Sequence, residues 1–381
     1  MLSGVVVAGL IALLTNVGPY RRNYVLFGSL LGPPEETGLY TNGIYSPTAV
    51  LSNVIRNVSL HLNTPVAEFN GSIEQIVIDL HSLMQINVND PRTTYLANNY
   101  DFQYRLSTAT RQEIYAGNSI HLIFIGLSSL IYVSGSRLFS GGRTYLLNLY
   151  MLAGLSMFAL SCLVLKWQPF HSRQHLAFFL YFSPFIAVVV ANTVKPSIMY
   201  GLAYGFLVLA LPWVLLNSSR PLIPTYYVKQ LIYSADDRAP QMIANQTRLY
   251  GVFSDKDTQL FREMEPLREP LVRVMDHLAS ATCRDFGLIE GTNTYQVEYP
   301  VWKLLERNFG NRFRLKHMLV ANSSELARSN HPDFEPCIII SFSTSNSDQL
   351  NIDGNLYQRD FVASNAADGS CCTVSLYSEV R

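Results

Sequence analysis

Charge is scarce in this sequence. Charged residues make up 15% of its 381 residues, below the roughly 25% of an average soluble domain, while hydrophobic residues reach 49%. The 28 Lys and Arg residues balance the 28 Asp and Glu residues, so the net charge is zero. Because no basic surplus is available to neutralise phosphates, we predict that nucleic acid is not a partner. The low charge and high hydrophobic content also argue against a disordered chain.

Familiar chemical motifs are absent as well. The sequence contains no GxGxxG, P-loop, GxSxG or HExxH string, which removes the usual signals of nucleotide binding, serine hydrolysis and zinc proteolysis. Its five cysteines form no CxxC or Cys/His zinc spacing. A bond between Cys283 and Cys337 would fit an extracytoplasmic domain, and free thiols fit equally well. No cofactor is predicted; a divalent metal is compatible with the sequence but has no support in it.

Acidic residues are missing from positions 118 to 217, and this gap identifies the class of protein. It contains four apolar runs, at 120–133, 145–165, 176–191 and 198–216. A bilayer-spanning helix needs about 20 apolar residues, so the second and fourth runs suffice and the other two need some of their polar flanks. The run at 1–15 is interpreted as a membrane helix rather than a signal peptide, since it lacks a basic n-region and a small-residue cleavage motif. We therefore predict a polytopic α-helical membrane protein with about five transmembrane helices.

Four zones follow from this pattern. They are a first transmembrane helix at 1–17, a connection at 18–117, a four-helix transmembrane block at 118–217 and a soluble α/β domain at 218–381. In the connection, 50–62 and 72–84 have apolar residues at helical spacing. These segments predict amphipathic helices on the membrane surface or against the bundle, or else helices of an inserted soluble domain.

The last zone alternates strand patterns, at 286–289, 315–320 and 337–342, with helical patterns at 298–308 and 323–328. This alternation predicts a small parallel or mixed sheet, to which 356–362 and 373–377 would add edge strands. The helical pattern over 257–283 contains Pro266 and Pro270, which are expected to break or kink it.

The string WQPFHSRQH, residues 167–175, is the strongest candidate for chemistry. It places Arg173 beside His171, His175 and Gln168 at a membrane boundary. Arg can bind a phosphate with two hydrogen bonds while His and Gln add further donors, so the string suits recognition of a lipid phosphate. The alternative is an interfacial anchor in which aromatic and basic residues fix helix depth. The i, i+4 histidines could form a metal pair, but no carboxylate is nearby and no metal site is predicted.

Two further strings carry polar groups. In 111–121, Glu113 and His121 could act as acid, base or ligand, although helix capping is the favoured interpretation. In the NDPRTT string, Asp90 and Arg92 flank a proline, and a turn held by the Asp side chain is expected. Ionisable residues are absent from the centres of the predicted helices, which argues against a transporter.

These strings together resemble a known family. HSRQHL after WQPF, AGNSIHL, NDPRTT and VKPSIMYGLAYGFLVLALPWVLLNSSRPL, with CRDFGLI and YPVWKLL in the last zone, look like bacterial glycosyltransferases of the GT-C superfamily, of the protein-mannosyltransferase-like and lipid A aminoarabinose-transferase-like kinds. The resemblance covers roughly residues 15–343. It implies a multi-pass protein of the bacterial plasma (inner) membrane, surrounded by membrane lipids. Such a protein transfers a sugar from a polyprenyl-phosphate-linked donor on the outer face. The connection, the 167–175 loop and the C-terminal domain would lie outside.

One departure from the family bears on activity. Its members carry a catalytic acidic residue in the first external loop, whereas the first acidic residues here, Glu35 and Glu36, stand in a different context. The sequence therefore resembles the C-terminal half of such an enzyme. We expect it to lack the general base on its own and to need a separate N-terminal half. The alternative function is a non-catalytic membrane scaffold whose extracytoplasmic domain binds a partner.

Overall fold

The computed structural model of the chain describes residues 2–106, 115–135, 143–217, 222–223, 254–261, 264–291, 297–320, 325, 334–342, 347–365 and 373–380. These residues fall into two compact units. The helical unit is Pro34–Val252, and the sheet unit combines Met1–Pro33 with Phe253–Arg381.

The described helices of the helical unit are α2 (Pro34–Tyr40), α3 (Pro47–Ser59), α4 (Ala67–Leu83), α5 (Ser119–Ser134), α6 (Arg143–Val164), α7 (His171–Gln174), α8 (Leu176–Thr193) and α9 (Pro196–Leu215). Those of the sheet unit are α1 (Leu2–Phe27), α10 (Lys256–Leu260), α11 (Glu265–Leu278) and α12 (Glu298–Phe309). The first helix was expected to end near residue 17, but α1 continues through Pro19 to Phe27.

Three helices have the length and composition to cross a membrane. They are α6, α8 and α9, with mean hydropathies of 1.8, 1.9 and 1.9. No residue of the most apolar part of α9 is buried within the protein, and exposed apolar surface of this extent is typical of membrane or protein-interaction surfaces. The three helices indicate a membrane protein. The helix α5 is apolar but has only 16 residues, and the count of five spans stays a prediction.

The two helices predicted in the connection are present as α3 and α4, but their buried faces are polar. The side chains that α3 buries are mainly Ser, Asn and Arg. On α4 the buried residues are Asn70, Val77 and His81, while Ile76 and Leu83 are exposed. The polar face of α3 contacts the end of α6, as described below.

The sheet unit contains a six-stranded mixed sheet in the order β2-β1-β3-β6-β5-β4. Its strands are β1 (Asp285–Ile289), β2 (Arg314–His317), β3 (Ile338–Ser341), β4 (Gln349–Ile352), β5 (Asn355–Ser364) and β6 (Thr373–Glu379). The pairs β1–β2 and β1–β3 are parallel, and the other three pairs are antiparallel. The expectation that the tail would add edge strands is wrong for both segments, because β6 lies between β3 and β5, β5 lies between β6 and β4, and β4 takes the edge position.

Apolar side chains cover both faces of the sheet. The amphipathic helices α11 and α12 contribute to the larger core with Leu271, Val274 and Leu305, while Ile339 and Tyr377 belong to a second cluster. Pro266 stands in the first turn of α11, where a missing amide donor is tolerated. Pro270 lies inside this helix and does not end it.

A disulfide joins Cys283 to Cys337 with a Cα–Cα distance of 6.0 Å. Each cysteine lies just before a parallel strand, β1 and β3 respectively. Of the two alternatives that the sequence left open, the structure has the bonded pair. The short helix expected at 323–328 falls almost entirely outside the described residues.

Candidate functional site

The site is organised around the carboxyl end of α6. A helix leaves its last four carbonyl groups without intrahelical partners, and here all four, from Ser161 to Val164, accept hydrogen bonds. Asn42 donates from its backbone to Val164 O and from its side chain to Cys162 O and Leu163 O, at 2.8 to 3.0 Å. Ser161 O accepts from the Leu165 amide. Asn53 of α3 adds a second bond to Cys162 O at 2.9 Å. Asn42 and the polar face of α3 therefore cap the carboxyl end of a helix that lies 120 residues from Asn42 in the sequence.

Arg56, fully buried on the same face of α3, connects the cap to the NDPRTT turn. Its Nη1 donates to Val88 O and Thr94 Oγ1, both at 2.7 Å. Its Nη2 donates to Asn53 Oδ1 and to the carbonyl and hydroxyl oxygens of Thr93. Burial lowers the pKa of this guanidinium to about 9, so it is charged at neutral pH. A buried cation held by neutral oxygens also suits the negative end of the α6 dipole.

The turn itself is fastened to the 167–175 string. The Asp90 carboxylate accepts from the Arg92 amide at 2.8 Å, which is the side-chain turn that the sequence predicted. The Trp167 amide donates to Thr93 O at 2.8 Å, and Trp167 O accepts from the Tyr95 amide at 3.0 Å. The Trp167 ring is completely buried, with the Arg56 guanidinium 5.5 Å from its centre.

Three buried histidines form a hydrogen-bonded cluster beside this network. The His61 Nδ1 accepts from the Asn118 amide at 3.3 Å, so its proton is on Nε2, which faces His175 Nδ1 at 2.9 Å. His171 Nδ1 lies 2.9 Å from the Asn57 Oδ1. Because a carbonyl oxygen can only accept, the His171 proton is on Nδ1. The cluster thus fixes the tautomer of each ring.

Burial decides the charge of these rings. It lowers the pKa of His61 and His171 to about 3 and that of His175 to about 4, with the neighbouring His175 as a further cause for the first two. All three imidazoles are therefore neutral at physiological pH. They can give and accept hydrogen bonds but cannot supply positive charge to an anion.

A cavity of about 170 Å³ opens between α6 and the α7–α8 segment. Its walls are mainly apolar, with a few polar groups at one end. The residues that line it are Asn57, Met157, Phe158, Ser161, Leu165, His171, Gln174, His175, Ala177 and Phe178. A largely apolar cavity with a few convergent polar groups is the usual form of a small-ligand site.

The four residues predicted to hold a lipid phosphate have different surroundings. His171, His175 and Gln168 are buried, and the two histidines line the cavity. Arg173 is exposed on α7 and is not a lining residue, although its neighbour Gln174 is. The predicted cluster therefore separates into a buried neutral part and one exposed cation.

The two supporting candidates lie elsewhere. Glu113 is outside the described residues. His121 is exposed on α5, between the rings of Phe179 and Phe206 at 6.3 and 5.6 Å. Within the described parts of the chain, no group of three His, Cys, Asp or Glu side chains is placed to hold a metal ion.

Sequence reasoning missed Asn42, Asn53, Arg56, Asn57 and His61. One signal was available: residues 47–59 contain no Asp, Glu or Lys, and their polar residues are Asn, Ser, Thr and one Arg. A helix exposed on its polar face normally carries charges of both signs there, so short neutral polar groups at i, i+3 and i+4 indicate a buried polar face.

Comparison with protein-family models, with curated proteins and with solved structures finds no match for this chain.

Proposed function

We propose that the chain is a membrane glycosyltransferase, or the C-terminal portion of one, that uses a polyprenyl-phosphate-linked sugar donor on the outer face of the membrane. The observation that carries this proposal is Arg173, an exposed cation on α7 directly before the apolar helix α8. An apolar chain and a phosphate need both features within a short distance. The resemblance of the strings around 167–175 and 87–94 to the GT-C family gives the reaction class.

Arg173 is the cation best suited to a phosphate in this region. It makes no ion pair with any described residue and it is exposed, whereas Arg56 already donates five hydrogen bonds and is completely buried. The neighbouring histidines are neutral. In this proposal Gln168, His171 and His175 hold α7 in position, and Arg173 alone contributes charge to the phosphate.

The disulfide supports an external location. Disulfides persist in oxidising compartments, so the bond between Cys283 and Cys337 is consistent with a sheet unit outside the cytoplasm. If α8 and α9 each cross the membrane once, the end of α9 at Leu215 and the start of α8 at Leu176 share one face. The 167–175 loop would then face the same compartment as the C-terminal domain, as the family requires.

The first test is binding of a polyprenyl phosphate to the full chain in lipid nanodiscs, with Arg173→Ala as the variant. Loss of a charge-assisted hydrogen bond of about 1.5–3 kcal/mol predicts a roughly 10- to 150-fold weaker affinity. Lys195→Ala is the matched control, since Lys195 is an exposed cation at the opposite end of the 18-residue α8, about 27 Å away along the helix. Unchanged binding by Arg173→Ala, or an equal loss in Lys195→Ala, would return the loop to an anchoring role.

The scaffold alternative also has an observation in its favour. Tyr299 and Trp302 are 62% and 38% exposed on one side of α12, and Lys303 lies 4.7 Å from the Trp302 ring centre. Exposed aromatic residues beside a cation are frequent in protein-binding surfaces. The two functions separate by the polyprenyl-phosphate titration described above, because only the transferase requires that the chain bind this donor and that Arg173→Ala weaken the binding.

A further inference from the structure

His171, which lines the cavity between α6 and α8, has an unused hydrogen-bond acceptor. His171 is 2% exposed, and its Nε2 has no hydrogen-bond partner among the described residues. Because Nδ1 carries the proton that faces Asn57, Nε2 presents a lone pair. A buried polar atom without a partner costs free energy of about 1–3 kcal/mol, so it points to a missing donor.

A second residue that lines this cavity, His175, has a hydrogen-bond donor. His175 Nδ1 accepts from His61 Nε2, so the proton of the neutral His175 ring is on Nε2. The ring centres of His171 and His175 are 5.8 Å apart. The cavity therefore offers one acceptor and one donor from two neutral rings on adjacent turns of the chain.

This combination identifies the chemical class of the ligand. A hydroxyl group is both donor and acceptor, and it can donate to His171 while it accepts from His175. A phosphate ester ionised at neutral pH has no proton to give His171, and no cation among the lining residues would balance its charge. An ammonium group would find a single acceptor ring and no carboxylate.

The other walls define the rest of the ligand. Met157, Phe158, Leu165 and Phe178 are apolar. The Ser161 hydroxyl already donates to Phe158 O at 2.7 Å. A volume of about 170 Å³ is close to that of an apolar cavity of roughly 150 Å³ known to bind benzene, which corresponds to about six carbon atoms.

We propose that this cavity binds the hydroxyl-bearing end of an apolar molecule, with the hydroxyl between His171 Nε2 and His175 Nε2. The site is distinct from the phosphate contact assigned to Arg173, and it does not depend on the transferase function. A free alcohol and a long-chain alcohol from the bilayer share this chemistry. They differ in whether the apolar part continues beyond the cavity into lipid.

The experiment titrates the full chain in nanodiscs with cyclohexanol, with cyclohexane as the hydrocarbon control and with 1-hexadecanol as the membrane-borne alcohol. The readout is the ¹⁵N signal of the unprotonated His171 Nε2 in protein labelled in its histidine rings, assigned by its loss in His171→Phe. We expect cyclohexanol or hexadecanol to shift this signal upfield as the nitrogen accepts a hydrogen bond, and cyclohexane to leave it in place. We also expect about tenfold preference for the alcohol over the hydrocarbon, which corresponds to one net hydrogen bond.

Matched variants make the outcome specific. His171→Phe should abolish the preference for alcohol, and Ala177→Leu should weaken binding of all three probes by filling the cavity. His277→Phe, in the sheet unit, should change neither the preference for alcohol nor the binding of the probes. A shift with cyclohexanol alone indicates a free alcohol, and one with hexadecanol indicates a lipid.

The proposal fails if alcohol and hydrocarbon bind equally well to the unaltered chain. It also fails if the Nε2 signal already has the shift of a hydrogen-bonded nitrogen and no probe moves it, because a fixed water would then occupy the position. Both results come from the unaltered chain, so they stand even if His171→Phe does not fold.

Discussion

The core around α3 in the helical unit and the core of the sheet unit are built from different kinds of side chain. In the sheet unit, α11 and α12 bury Leu, Val and Met side chains against the strands, and their charged residues are on the surface. In the helical unit, α3 buries Asn53, Arg56 and Asn57, and the apolar surface of α9 is on the outside. Around α3 the order of polar and apolar layers is thus inverted, while α8 keeps an apolar cluster that includes Phe182 and Phe185.

The inversion follows from the surroundings of each unit. A soluble domain gains stability by removing apolar side chains from water. Apolar helices in a lipid environment gain little from burying such side chains, and the costly groups are the unpaired carbonyls at their ends. Asn42 and Asn53 satisfy those carbonyls on α6, so hydrogen bonds join α3 to α6, whereas apolar packing joins α11 and α12 to the sheet.

The largest expected effect is from Arg56→Met, which keeps most of the length of the side chain and removes its five hydrogen bonds. Several buried acceptors lose their donor at about 1–3 kcal/mol each, so we expect a destabilisation on the order of 5 kcal/mol. The loss should be confined to the helical unit. Hydrogen exchange followed by mass spectrometry should show faster exchange in 47–62 and 87–95 and no change in β1–β6.

Arg105→Met is the control for this experiment. Arg105 is an exposed cation of the same connection, 3.8 Å from the Tyr100 ring centre, and its removal should leave exchange as it was. Equal exchange in the Arg56 and Arg105 variants would mean that the polar core does not stabilise the unit.

The same contrast explains which elements the sequence could predict. The expected helix at 298–308 matches α12 at Glu298–Phe309, and the expected strands at 286–289 and 337–342 match β1 and β3 within one residue at each end. Their apolar spacing corresponds to an apolar core, so pattern and burial agree. The order of the sheet was not predictable in this way, because the position of β6 between β3 and β5 depends on pairing across the whole domain.

The candidate site was predictable only in part. The 167–175 string and the NDPRTT turn were identified from their residue types, and the structure joins them through Thr93 and Trp167. The contribution of α3 was missed because its partners are distant in sequence: Asn53 meets Cys162 across 109 residues. From the sequence alone, the polar face of a helix is expected to contact solvent unless such a distant partner is known.

Removal of the disulfide tests what stabilises the sheet unit, just as Arg56→Met tests what stabilises the helical unit. Replacing both Cys283 and Cys337 with Ser opens a loop of 54 residues, and the chain-entropy relation gives a loss of about 4 kcal/mol. Exchange should rise across β1–β3 and stay unchanged in α3. A reducing agent should destabilise the unaltered chain similarly and have no effect on the double variant. An equal response of α3 in the double variant would show that the two units do not unfold separately.

Counted per histidine and per pH unit, acidification should produce the smallest effect, and only in the helical unit. The pKa values of His61, His171 and His175 are lowered to about 3, 3 and 4 in the fold, against about 6.5 in an unfolded chain. Below pH 6.5 the unfolded chain therefore binds protons that the folded unit does not, and protonation favours unfolding. Stability should be full above pH 6.5 and decline toward pH 4, by about 1.4 kcal/mol per pH unit for each histidine.

The variant His61→Gln measures how much one histidine contributes to this loss of stability. Gln can still accept from the Asn118 amide and donate to His175, but it does not titrate, so the slope between pH 6.5 and 4 should fall by about 1.4 kcal/mol per pH unit. His317→Gln, on β2 of the sheet unit, should leave the slope as it is. Denaturant unfolding of the helical unit, followed by exchange at α3 over this pH range, measures both. An unchanged slope in His61→Gln would show that the histidine cluster is charged or hydrated in the folded unit. The polar core and the apolar core of the sheet unit would then differ less in their shielding from water than the hydrogen bonds indicate.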